Sequence, residues 1–379
     1  MVATAGAGGD LQPLVAAALG LRDRGHEIVF VGDASTRRTV ETLGVEARTL
    51  PSEYDLGPRL GASIRAAMQA TGGDMAAAGP MIEDGLAAWA REVAPRVTES
   101  VDEVRPDAAI TSLFGVEVLA EADPPCPWAV VNSTFYVGPN PPRPHEQDFG
   151  PRAIPLLARY ASMVGLADRV LHATDRTFDY GFSGLPEGHH YAGPLGIWEP
   201  PSDHPVYLDE PGDPWVLVTI SSQMQDDIPL AQAALAALAQ HDVRVVLTLG
   251  SDHSPDELTD VPSGARVEQT IPHSAVLQRG GLLVSHAGHG SVMKALWFGC
   301  PMVLIPWGRD QPGVAARAQA LDVAEVVPRE SATAETIGDA VARAMTDDRL
   351  RRNAAAHSSR LRETDPPVVA ATLLEDLVS

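Results

Sequence analysis

Residues 282–311, LLVSHAGHGSVMKALWFGCPMVLIPWGRDQ, constrain the fold of this chain more than any other stretch. Residues 282–284 form a short apolar run, which predicts a buried strand. The run stops at Ser285 and His286, and Gly288 and Gly290 then bracket a tight turn that a larger residue would resist. Ser291 suits the N-cap of a helix that carries Val292, Ala295 and Leu296 on one face. Gly299 ends that helix, and Pro301 stops it from continuing. A second apolar run, 302–305, closes at Pro306. The whole is a strand–helix–strand unit, with a glycine turn feeding a helix N-terminus.

Free backbone N–H groups and the positive end of a helix dipole make such a turn favour an anion such as phosphate. His286 at its mouth is expected to add a side-chain donor. The second strand delivers Trp307, Asp310 and Gln311 to the same edge, where open α/β sheets bind ligands. A carboxylate beside an amide suits hydroxyl groups, because together they accept and donate hydrogen bonds. A lone Gly-x-Gly is more often a structural turn. With His286, Ser291 and Asp310-Gln311 added, the pattern points to a nucleotide sugar.

Residues 266–311 resemble the donor-binding signature of family-1 glycosyltransferases of the GT-B fold, most closely the bacterial natural-product branch. Ile271-Pro272-His273 resembles the segment that holds the nucleotide base. His286-Ala287-Gly288-His289-Gly290-Ser291 resembles the diphosphate turn, and Asp310-Gln311 the pair that reads sugar hydroxyls. Lys294 stands where the family usually has a ribose-binding Glu, Val314 where it commonly has an Asn, and Thr270 where many relatives place a base-stacking tryptophan. The resemblance implies an α/β protein of two Rossmann-like domains facing across a cleft, with a last helix crossing back to the first domain. It also implies a UDP- or dTDP-sugar as donor and a small-molecule acceptor, with no metal and no further cofactor.

The resemblance sets the domain plan: 1–198 for the acceptor, 199–214 as a proline-rich linker, 215–360 for the donor, and 361–379 as the returning helix. Its Lys+Arg 28 against Asp+Glu 50 gives −22, which argues against a nucleic-acid partner and a membrane surface. An anionic donor must therefore be held by local groups against an unfavourable overall field. Cys126 and Cys300 are the only cysteines, which fits a reducing cytoplasm. No run approaches the roughly 18 apolar residues of a membrane helix. Association as a homodimer stays open.

The chain begins with a strand, 1–5, then Gly6-Ala7-Gly8-Gly9-Asp10 and a helix over 11–24. As a dinucleotide fingerprint Gly6 and Gly8 are incomplete, because the third glycine would fall on Leu11. Residues 9–13 instead resemble the family's first loop, where Asp10 takes the place of the acceptor-activating base. A plain N-capping role for Asp10, with Pro13 in the first turn, is the alternative. Thr111 and Ser112 stand where many relatives carry an acid behind a histidine base, so an aspartate acting alone is expected.

Residues 136–155 read as a long proline-rich loop, which in the family covers the acceptor pocket. Phe135, Tyr136 and Met163, with Ile154, Leu156, Leu157 and Tyr160, are expected to line that pocket or to form the domain's own core. His189 and His190 read as solvent-facing, and Asp226-Asp227 as a solvated pair. Ser222, of the pair following the strand at 215–220, resembles a nucleotide contact. Together these residues give an inverting glycosyltransferase with Asp10 as base and a hydrophobic acceptor. A catalytically silent binding protein of the same fold is the alternative.

Overall fold

The apolar runs become strands of two parallel sheets. In the first, β1 (Val2–Ala3), β2 (Val29–Gly32), β3 (Glu46–Thr49), β4 (Ala109–Ser112), β5 (Trp128–Asn132), β6 (Arg169–His172) and β7 (His189–Tyr191) lie in the order β3-β2-β1-β4-β5-β6-β7. In the second, β8 (Trp215–Thr219), β9 (Arg244–Thr248), β10 (Ala265–Glu268), β11 (Leu282–Ser285), β12 (Met302–Leu304) and β13 (Ala324–Val326) lie in the order β10-β9-β8-β11-β12-β13. The computed structural model describes residues 1–3, 8–73, 75–150, 161–222, 225–250 and 252–379. Gly6, Ile154, Leu156, Leu157 and Tyr160 lie outside these.

Central strands such as β5, β8 and β11 are buried at every residue, because helices cover both faces of a parallel sheet. The helices that position the site are α1 (Leu11–Asp23), α2 (Met75–Val104), α3 (His145–Phe149), α4 (His273–Leu277), α5 (His289–Phe298), α6 (Gln311–Ala320), α7 (Asp348–Leu361) and α8 (Pro366–Glu375). Helix α2 runs through Pro80 and Pro95, each of which removes one backbone hydrogen bond. In both sheets the strand order reverses once, between β1 and β4 and between β8 and β11. Such a reversal is where open α/β sheets take their ligands.

The returning helix is explicit. Ala370 and Leu374 of α8 share an apolar cluster with Leu14, Ala17 and Ala18 of α1. The two backbones approach so closely that a Cβ at Gly20 would stand 2.2 Å from the Pro367 carbonyl oxygen. A further apolar cluster joins the two domains: Phe135, Val137 and Phe178 of the first pack with Val292, Met293 and Ala315 of the second. Among the described residues, no helix is long and apolar enough to cross a membrane.

Candidate functional site

A cavity of about 540 Å³ lies between the two switch points. Its second-domain wall is the turn after β11. Helix α5 starts at His289 with Gly288 as cap, so Ser291 sits in the first turn and is not the N-cap expected from its hydroxyl. The first α-helical bond there runs from the Val292 N–H to the Gly288 carbonyl, 3.1 Å. The N–H groups of the three preceding residues therefore have no partner within the helix. Ala287 holds φ +70°, a strained value for a residue with a Cβ. A Cβ added at Gly288 would meet His286 Nε2 at 2.6 Å, so any larger residue there would displace the imidazole.

His286 does not supply the side-chain donor expected of it. Its Nδ1 lies 3.3 Å from the Thr219 carbonyl, which can only accept, so Nδ1 carries the proton. Burial holds the ring neutral, leaving Nε2 as an acceptor. Ser222, His273, Gly288, Gly290, Ser291, Lys294, Asp310 and Gln311 all line the cavity, as does Arg309. Burial first, and the Lys294 charge second, pull His273 down to about 4.

Ile271 and Trp307 do not join them. Each is half-buried against an apolar cluster of the second domain, and the Trp307 indole donates to the Asp226 carbonyl, 3.1 Å. Asp227 is fully buried, which corrects the solvated reading: its Oδ2 accepts from the Ser221 N–H at 2.7 Å. Gln311 is largely occupied within its own turn. Its Oε1 accepts from the Trp307 and Gly308 N–H groups, at 2.8 and 2.9 Å, and its amide pairs with that of Gln225.

Lys294, standing where the family usually has a ribose-binding Glu, is paired within the protein. Its ammonium lies 3.2 Å from Glu199 Oε1 and 2.9 Å from Gln12 Oε1, with the residue 4% exposed. Glu199 also accepts from the His273 N–H at 2.8 Å and from the Ser274 hydroxyl at 2.6 Å. The linker acid therefore ties α4, α5 and, through Lys294, the start of α1 together. Lys294→Glu is expected to place two carboxylates in one buried space and to cost more than about 3 kcal/mol of stability. Adding Glu199→Gln should recover part of the loss, as read by denaturant unfolding.

The first-domain wall carries Asp10. The residue has αR backbone geometry and its side chain makes no capping bond, so a capping role is not what holds it. Its Oδ1 accepts from the Ser133 hydroxyl at 2.9 Å. Burial raises its pKa above the usual carboxylate range, opposed by the Ser112 and Ser133 hydroxyls and the backbone of Phe114 and Leu113. The neighbouring Thr134 hydroxyl donates to Asp310 Oδ2 at 2.6 Å, so adjacent residues hold Asp10 and Asp310 from opposite domains.

Beyond Asp10 the wall turns apolar, with Leu86, Trp89, Phe114, Val137, Phe149 and Met163. Phe135 and Tyr136 are not part of it. Both are fully buried, the first under the Arg317 guanidinium at 3.5 Å and the second stacked on Phe182 at 5.3 Å. Their rings turn inward because the Asn132 amide holds the Phe135 carbonyl and Asp179 accepts from the Tyr136 N–H. His189 and His190 are partly buried, and His189 Nδ1 lies 3.1 Å from His172 Nε2. Gln12, Thr134, Trp89 and Phe149 escaped the sequence reading. Only Trp89, in an alanine-rich run, and Phe149, among polar residues, left a signal, as large aromatics.

Two Rossmann-like sheets whose switch points face one cavity define a GT-B protein. A family model described as "Erythromycin biosynthesis protein CIII-like, C-terminal domain" matches residues 232–375, and "Glycosyltransferase family 28 N-terminal domain" matches residues 1–84. The demethyllactenocin mycarosyltransferase of Streptomyces fradiae is 28% identical over 54% of this chain and 44% of its own length, so the chain spans about half of that relative. The O-mycaminosyltylonolide 6-deoxyallosyltransferase of Streptomyces fradiae is 27% identical over 91% of this chain and 89% of its own. The spinosyn rhamnosyltransferase complexed with thymidine diphosphate superposes with a TM-score of 0.71 at 18% identity, covering 100% of this chain and 99% of that one, which is a likeness of fold. In both domains the chain is thus similar to bacterial natural-product glycosyltransferases.

Proposed function

We propose that this chain transfers a sugar from a UDP- or dTDP-sugar to a hydroxyl of a hydrophobic small molecule, with inversion and without a metal cofactor. The observation that carries this reading is the shared cavity, in which Asp10 and an apolar wall face the turn at Gly288 and the acid Asp310. Asp10 takes the proton of the acceptor hydroxyl as its oxygen attacks the sugar C1. The bond from C1 to the diphosphate oxygen breaks, and the electron pair leaves with the diphosphate. A single displacement inverts C1. The N–H groups opening α5 stabilise the charge that develops on the leaving group.

Six apolar side chains on the acceptor wall support a flat, hydrophobic acceptor, since burial contributes roughly 25 cal/mol per Å² of apolar surface. A phenol, with a pKa of about 10, yields its proton more readily than an alcohol. Met163→Ala is expected to raise the acceptor KM by roughly tenfold, the scale of a lost buried side chain, with nucleotide affinity unchanged. Competition between phenolic aglycones and simple sugars tests the acceptor class, and equal use of both rejects it. NMR of the product's anomeric centre tests inversion. Failure of the parent to hydrolyse or transfer from any nucleotide sugar would overturn the reading as a whole.

A further inference from the structure

The diphosphate of the proposed donor meets a turn whose expected cation is missing. His286 is neutral, and its N–H is spent on Thr219. Lys294 is held by Glu199 and Gln12. The N-terminus of α5 contributes about half an elementary charge. Against a chain of net charge −22, that is little to hold two phosphates.

Arg309 lines the same cavity and has an exposed side chain. Its backbone sits at φ +56°, a conformation disfavoured for a side chain of this size and maintained by the turn around it. Its Nη1 lies 3.4 Å from Ser221 Oγ, on the loop leaving β8, so the guanidinium spans the switch point from the β12 side to the β8 side. Its charge also bears on His286 across the turn. The next residue, Asp310, is the sugar-reading acid, and the sugar is attached to the outer phosphate.

We propose that Arg309 binds the outer phosphate of the donor and neutralises it as it leaves, the task a divalent cation performs in metal-dependent transfer. The assignment rests on the nucleotide-sugar reading above. No proton moves through Arg309: its N–H groups donate hydrogen bonds to the phosphate oxygen that receives the electron pair from C1, while Asp10 keeps the acceptor's proton. Guanidinium groups stay charged and bind phosphate through a planar fork, which suits this position.

The test is calorimetric titration of the parent, Arg309→Gln and Arg309→Lys with uridine and thymidine diphosphates and with the matching monophosphates. Arg309→Gln should weaken the diphosphate by about ten- to a hundredfold, the scale of a charged hydrogen bond, and change the monophosphate by less than about twofold. Arg309→Lys should retain part of the preference, and the difference from parent should shrink in high salt. Turnover of Arg309→Gln should fall at least as far as its diphosphate affinity. Unliganded melting temperatures report the fold, and if Arg309→Gln does not fold, the diphosphate-to-monophosphate ratio of Arg309→Lys is the deciding quantity. A variant that keeps the parent's preference for diphosphate, or loses both ligands equally, overturns the assignment alone. A parent that binds neither diphosphate overturns the nucleotide-sugar reading, and Arg309's role with it.

Discussion

Asp10→Asn should leave the fold and nucleotide binding intact and lower turnover by about 10² to 10⁴, the usual cost of removing a general base. Asparagine keeps an oxygen for the Ser133 hydroxyl, so the local geometry has little reason to change. It cannot take the acceptor's proton. The pH profile adds a second readout. A base works when ionised, and burial has raised the Asp10 pKa, so activity should fall as pH drops through that raised value. The acidic limb should vanish in the variant.

Stability should move the other way. The proton is held more tightly in the folded chain than in the unfolded one, so ionising Asp10 costs folding energy. That cost is absent below the unfolded pKa and grows until the raised folded value is passed. Asparagine removes it, and the variant should melt above the parent at neutral pH. A variant that melts higher yet turns over at the parent's rate would mean that the base lies elsewhere.

The second-domain wall of the cavity was legible because its parts are contiguous: one turn carries Gly288, Gly290 and Ser291, and one strand end carries Asp310 and Gln311. Alternating strands and helices gave the fold for the same reason. The contacts that join the two domains around the cavity depend on pairs far apart in sequence. Lys294 and Glu199 are 95 residues apart, and Thr134 and Asp310 are 176 apart. Spacing carries no information about such pairs. Phe135 and Tyr136 stayed open between pocket and core, because an aromatic after a strand can face either. The choice is made by Asn132 and Asp179, which pin the backbone between them.

Arg317 was invisible for a similar reason, since an arginine late in a short helix ordinarily faces water, and its substitution should have the largest effect on stability. The residue is fully buried. From α6 in the second domain it donates to Asp148 Oδ2 and Asp179 Oδ1 in the first, each at 2.8 Å. Among the described residues, Arg317→Met would leave Asp148 paired with Arg143 alone and Asp179 with the Tyr136 N–H and Tyr191 hydroxyl but no cation. Breaking such a buried network typically costs about 3–5 kcal/mol. Catalysis should suffer too. Asp148 precedes Phe149 on the apolar wall of the cavity, Asp179 holds Tyr136, and α6 begins at Gln311. Burial already raises the Asp148 pKa, with the Arg317 charge opposing it. Without Arg317 it should rise further above the unfolded value, so the stability deficit should shrink as pH falls and Asp148 takes up its proton. Adding Asp148→Asn and Asp179→Asn should recover much of the loss at neutral pH, because a buried ion network can often be replaced by neutral groups at little net cost. Denaturant unfolding of the single and triple variants at two pH values separates the outcomes. A single variant that loses less than about 1 kcal/mol would show that the network does not hold the domains together. A triple variant no better than the single would move the cost to lost packing over the Phe135 ring.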